Sequence, residues 1–196
     1  MKMRTPLSRS GHLTLISAYA PTLTSEDDVK EQFYEQLDQA IKSTPQSGKL
    51  VVLGDLNARV GRENSSWEGV LGRHGVGKVN DNSLLLLSKC AEHGLCITNT
   101  LFKMADKYKT TWQQPRSKHW HMIDFIVVRQ HDIRDVRVTR AKRGAECWTD
   151  HRLVRAVLSL HVPRPHRNRP KTVRASYNVA RLKNLYCLSR LQDLLD

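Results

Sequence analysis

Four short polar clusters in this chain together carry the residue types needed to hydrolyse a phosphodiester. They are Tyr19-Ala20-Pro21, Gly54-Asp55-Leu56-Asn57, Ile123-Asp124-Phe125-Ile126 and Thr149-Asp150-His151, each placed near the end of an expected strand. Strand ends and the loops after them are where a rigid sheet presents reactive groups. Asp55 could accept a proton from an attacking water, and Asn57 could position that water or a phosphate oxygen. His151 could donate to the phosphate and offset its growing negative charge. Asp124 could hold the imidazole in one orientation and favour its protonated form. Asp150 could offer a carboxylate oxygen to Mg²⁺, which prefers hard oxygen ligands, with Mn²⁺ as a substitute.

Taken singly, each cluster also has a plainer reading. Gly-Asp-Leu-Asn after an apolar strand is a common turn, with Asp and Asn capping backbone amides. Asp124 lies inside an apolar strand and must be partnered, which a structural salt bridge would achieve. Asp150-His151 could be a loop pair or a helix cap.

The elements that must position these residues follow from periodicity. His12 to Ala20 alternates as a strand, and this alternation argues against reading the basic, then apolar start as a signal peptide. Ser25 is expected to cap a helix carrying Val29, Phe33, Leu37, Ala40 and Ile41 on one face, ended by Pro45 and Gly48. The continuous apolar run Leu50-Val51-Val52-Leu53 predicts a buried central strand. A long loop from Gly61 to Asn80 precedes a second helix from Asn82 to His93, with Gly94 at its C-terminal end. Further strands are expected near Leu95–Thr98, Thr110–Gln113, Met122–Val128, Val136–Thr139 and Leu153–Leu160. Many strands with two helices and long loops predict a layered α/β sandwich; a doubly wound sheet would need more helices.

Composition narrows the class. The chain has 196 residues, 39% hydrophobic and 26% charged, with no apolar run near the ~20 residues of a membrane span. Cys90, Cys96, Cys147 and Cys187 form no metal-ligand or CxxC spacing, and Cys90 and Cys96 are expected as buried free thiols. A net charge of +13 suits a partner with a phosphate backbone, although a solvated basic surface would give the same value. Arg116-Ser117-Lys118-His119 suits a phosphate-contacting loop, with a solvated loop as its competitor. Trp112 is expected in the core, and Trp148 along a substrate groove. Residues 163–196 read as a basic Pro/Arg linker followed by a short helix, leaving residues 1–162 as one domain.

The order Tyr-x-Pro, Gly-Asp-Leu-Asn, Ile-Asp-Phe, Thr-Asp-His resembles the endonuclease/exonuclease/phosphatase superfamily. The likeness is nearest to the endonuclease domains of non-LTR retrotransposons and to craniofacial development protein 2-like proteins. It covers about residues 10–162, with Phe33-Tyr34, Ala58-Arg59-Val60-Gly61, Trp67-Glu68-Gly69 and Arg116 to Trp120 among its carriers. The resemblance implies a four-layered α/β sandwich of the DNase I-like type, incomplete at its N-terminus. It implies catalytic Asp55, Asn57, Asp124 and His151, a Tyr19 near the phosphate and a metal-region Asp150; Arg116, Lys118 and Trp148 are expected as nucleic-acid contacts from their residue types. The family also places an Asn and a metal-binding Glu before the position of Tyr19, and Met1 to Gly11 contains neither. Two expectations therefore stand: a Mg²⁺-dependent DNA endonuclease, and an inactive truncated relative that binds nucleic acid. A small-phosphate phosphatase on the same fold fits the charge less well. The expected setting is intracellular and nuclear, with DNA as partner.

Overall fold

The computed structural model describes residues 1–7, 11–145 and 149–160. The expectations for residues 163–196, and for Cys147, Cys187 and Trp148, fall outside these residues. In chain order the elements are β1 (Lys2–Pro6), β2 (His12–Tyr19), α1 (Asp27–Lys42), β3 (Lys49–Asp55), β4 (Val60–Gly61) and β5 (Val76–Val79). There follow α2 (Asp81–Glu92), β6 (Leu95–Ile97), β7 (Trp112–Gln113), β8 (Trp120–His121), β9 (Asp124–Arg129), β10 (Val136–Lys142) and β11 (Leu153–Leu158). Among the described residues no helix is long and apolar enough to cross a membrane.

The main sheet has five strands in the order β1-β2-β3-β9-β6, and β10 pairs with β11 in a second sheet. β3 lies between a parallel β2 and an antiparallel β9, and its unbroken apolar sequence follows from burial of both its faces, by the helices on one side and the second sheet on the other. Leu50 and Val52, with Phe125 and Val127 of β9, pack among Tyr34, Leu37 and Ile41 of α1 and Leu86, Leu87 and Cys90 of α2. The alternate residues Val51 and Val128 pack with Val136 of β10 on the opposite side. Fully burying each such side chain contributes about 1.5–3 kcal/mol. The result is a helix layer, a five-stranded sheet and a second, two-stranded sheet. Cys90 and Cys96 are buried free thiols, as their patterns predict.

Three local expectations are corrected. Glu26, not Ser25, is the residue at the helix N-cap position, and its side chain makes no capping bond. The Ser25 hydroxyl instead meets Thr22 Oγ1 at 3.2 Å. Val29 is 46% exposed, because the first turn faces an open depression shared with Tyr19, Pro21 and Phe33 rather than the packed sheet. The 61–80 segment is not only loop: it holds β5, which pairs with β4, and a 3-10 turn at Ser65–Trp67.

The helices are also clasped by charge. Asp38 on α1 accepts a hydrogen bond from His93 Nε2 at 2.7 Å and pairs with Lys42 Nζ at 2.7 Å. Lys89 of α2 lies 3.6 Å from the same carboxylate. The hydrogen bonds to Lys42 and His93 pull the Asp38 carboxyl down to about 2. A depressed carboxylate pKa stabilises the fold at pH above the ordinary unfolded value, and that stabilisation disappears as pH falls through the folded value. Asp38→Asn is therefore expected to be less stable than the parent near neutral pH, with the gap closing between about pH 4 and pH 2. Urea midpoints across that range provide the check. A gap independent of pH would reject the clasp.

Candidate active site

Tyr19, Asp55 and Asp124 lie side by side across the rim of the main sheet, since Tyr19 pairs in register with Asp55 and Asp55 with Asp124. Alternation places Asp55 and Asp124 on the face of Val51, Leu53, Ile126 and Val128, toward the second sheet. Two carboxylates on directly opposite residues repel, and this arrangement needs compensation.

His151 supplies it. Its Nδ1 lies 3.2 and 3.1 Å from the two carboxylate oxygens of Asp124, and its Nε2 lies 4.0 Å from Asp55 Oδ2. With Nδ1–H directed at Asp124, Nε2 is the ring atom left to exchange a proton or to meet a substrate. Asp55, Asp124 and His151 each offer a ligand atom within 4.8 Å of the others.

Asp55 also holds the turn after β3. Its Oδ1 accepts the Asn57 N–H at 2.9 Å, and Asn57 sits in left-handed backbone at φ 46°. The turn and the carboxylate cluster are therefore built from one side chain, one oxygen for each. Burial raises the Asp55 pKa, and the Asp124 and Asp150 charges add to the rise against the Asn57 amide and His151. Asn57 Nδ2 donates to Ala20 O at 2.8 Å, tying the ends of β2 and β3 and leaving a second amide hydrogen.

Asp150 is close enough to act on Asp55 by charge but stands outside the Asp55–Asp124–His151 group. Its Oδ2 accepts the indole N–H of Trp112 at 2.6 Å. Trp112 is thus not a core residue: it is half-buried, bonded to Asp150 and bridged to His151 by backbone pairing. Hydrophobicity alone hides this, because a tryptophan in a short strand reads as core until its N–H needs a partner. Tyr19 is 72% exposed, its ring free to meet a ligand at the rim. Arg116 and Lys118 are exposed on the loop between β7 and β8.

Residues without a sequence signal fix the rest. Asn99 accepts the Ile126 N–H and donates to Asp124 O, bracing the start of β9 at 3.0 and 3.1 Å. The Arg152 guanidinium stacks 3.3 Å from the Trp120 ring and donates to Thr110 O at 3.2 Å. A cavity of about 370 Å³ opens beside the turn, lined among others by Thr22, Asn57, Arg59, Trp112, Gln114 and His121. Burial first, then the Arg59 and His119 charges, push the His121 pKa down, which favours the neutral imidazole beside Arg59. A second acidic group, Asp38, Glu92 and His93, could also be read as ligands, but Lys42 and Lys89 already neutralise its carboxylates.

No family model matches the chain. Over 149 residues, 76% of the chain, it is 36% identical to craniofacial development protein 2 of Bos taurus. Over the same length it is 34% identical to that of Tragulus javanicus. The chain spans about a quarter of the length of these curated relatives, 25% and 26%. Among solved structures it resembles the endonuclease domain of TRAS1, a telomere-specific non-LTR retrotransposon. That likeness has a TM-score of 0.52 and 18% identity, and covers 82% of this chain and 62% of that one. It also resembles the 3′ phosphatase NExo from Neisseria bound to a product DNA hairpin, with TM-score 0.54, 20% identity, and coverage of 78% and 62%. The 3′-5′ exonuclease NExo from Neisseria meningitidis gives 0.54, 22%, and coverage of 76% and 62%. At these identities the structural likeness is one of fold.

Proposed function

We propose that this chain, which has the DNase I-like fold and is related to the endonuclease/exonuclease/phosphatase proteins, hydrolyses phosphodiester bonds in DNA with the help of Mg²⁺. The observation that carries the reading is the His151 imidazole held between Asp124 and Asp55 at one sheet rim. In this reading Asp55 accepts the proton of the attacking water, its raised pKa making it a better base than an ordinary carboxylate. Protonated His151 donates from Nε2 to the phosphoryl oxygen, while Asp124 stabilises the imidazolium and fixes the ring. The remaining Asn57 amide hydrogen and Tyr19 orient the phosphate. Bound Mg²⁺, or Mn²⁺ in its place, would neutralise charge on the phosphate. The hard carboxylate oxygens of Asp150 would hold such an ion.

DNA is the substrate class favoured by the +13 charge, by Arg59 in the cavity wall, and by exposed Arg116 and Lys118. Trp148, which lies outside the described residues, is proposed as a further DNA contact from its place in the sequence beside Asp150 and His151. Residues 1–162 form the hydrolytic body in this proposal, residues 163–196 add a basic extension, and the protein works in the nucleus.

A second reading is binding of nucleic acid without turnover. It is favoured by the Trp112 indole, which occupies one oxygen of the carboxylate assigned to the metal. One experiment separates the two. Purified chain is incubated with supercoiled plasmid and Mg²⁺, with and without chelator, beside Asp55→Ala. We expect chelator-sensitive nicking that falls by about 10²–10⁴ in Asp55→Ala. Plasmid retention by folded protein without any nicking would replace the first reading with the second.

A further inference from the structure

Asp124 and His151 lie in separate strand systems, yet they meet at hydrogen-bond distance, so something must fix both at once. The structure brings their backbones together at one buried residue, Thr111, which is 0% exposed. Its hydroxyl oxygen accepts the amide hydrogens of Ile123 at 3.1 Å and Asp124 at 3.2 Å, at the start of β9. Its carbonyl oxygen accepts the Arg152 amide at 2.6 Å, one residue beyond His151. Its own N–H donates to His121 O at 2.7 Å, closing the hairpin beside the cavity. The next residues continue the seam: Trp112 pairs with His151, and Gln113 N–H donates to Asp150 O at 3.0 Å.

We infer that Thr111 is a positioning residue for the Asp124–His151 pair, acting through its hydroxyl on one partner and through its carbonyl on the other. This role deepens the hydrolytic reading above and rests on it. A β-branched threonine is held in few χ1 rotamers, so the hydroxyl stays directed at the two amides. Shape alone does not suffice: valine has the same outline but offers no acceptor to the two N–H groups. Buried amides left without an acceptor move until they find one. That movement carries the Asp124 carboxylate with it, and a displacement of about 1 Å near reacting groups can cost on the order of 10²-fold in rate.

The test compares Thr111→Val, which removes the hydroxyl, with Thr111→Ser, which keeps it. Two readouts are taken on the full chain. One is the proton NMR signal of the His151 Nδ1–H bonded to Asp124, together with hydrogen exchange of the Ile123 and Asp124 amides. The other is plasmid nicking with Mg²⁺, resolved into kcat and KM. We expect Thr111→Val to lose the imidazole signal and amide protection and to lower kcat on the order of 10²-fold with KM little changed. Thr111→Ser should keep both. The inference is overturned if Thr111→Val retains the signal and its kcat, or if Thr111→Ser is damaged equally, which would assign the effect to the methyl group. If Thr111→Val fails to fold, Thr111→Ala, where a water can reach the two amides, takes its place. Parent-like signals from Thr111→Ala overturn the inference, and signals weaker than those of Thr111→Ser support it. If the parent chain itself does not nick DNA, the hydrolytic reading fails while the spectroscopic comparison still decides the positioning role.

Discussion

An alanine at position 54 is expected to unfold the domain. Gly54 sits on the central strand with φ 142°, opposite Ala18 of β2. A Cβ there would lie 1.8 Å from Ala18 O and 2.9 Å from Ala18 C, both backbone atoms of the neighbouring strand. No rotamer change relieves such an overlap. The strands would have to part where Tyr19 pairs with Asp55 and where Ala20 N–H donates to Asp55 O at 2.9 Å. The left-handed backbone adds its own cost for any residue with a Cβ. We expect a loss of roughly 4 kcal/mol or more, comparable with the whole stability of a typical domain of ~5–15 kcal/mol. Equilibrium urea unfolding measures it. A loss below about 1 kcal/mol would mean that β2 and β3 do not approach as described.

His151→Ala is expected to reduce single-turnover nicking by about 10³, since one side chain supplies both proton donation and charge stabilisation. Asp124→Asn should cost less, about 10², because the imidazole survives but loses its orienting charge. The double variant should be scarcely worse than His151→Ala, since Asp124 acts through the ring. A multiplicative double effect would show the two working separately, and a His151→Ala loss below about tenfold would remove the imidazole from the mechanism. The pH profile adds an independent sign. Because burial raises the Asp55 pKa, the acid limb of the rate should lie above the ordinary carboxylate range. Stability should move the other way there. The folded state holds that proton more tightly than the unfolded chain, so falling pH favours the fold while it stops the reaction.

The parts of the fold that could be read in the sequence are those with long, clean periodicity. The apolar run at Leu50–Leu53 becomes the central strand, and both helices lie within a few residues of their expected bounds. β1 escaped notice because Lys2, Met3 and Arg4 are exposed and basic or flexible, with no apolar face to betray a strand. β4 and β8 are two residues each, too short for any pattern, whereas the equally short β7 falls within the strand expected near Thr110–Gln113. The helix cap was misplaced by one residue because Ser25 and Glu26 are adjacent and local chemistry favours serine. At the site, the charged residues were visible through the order of their four motifs along the chain, since each alone also reads as an ordinary turn, ion pair or loop residue. Their supports were not. Thr111, Asn99 and Arg152 act through hydrogen bonds to backbone distant in sequence, which leave no periodic trace. Trp112 misled because its bulk is apolar while its one polar atom decides its place.

The Asp124–His151 contact spans two sheets: Asp124 opens β9 in the main sheet, and His151 lies two residues before β11 in the second. Between them lies a thin apolar seam built on Val51, Val128 and Val136. The gap between carboxylate and imidazole therefore also depends on layer spacing, which the methyl groups of that seam help to hold. A methyl removed from the seam would be felt as a change in that gap at the rim. Chemistry and packing in this domain share a single ruler.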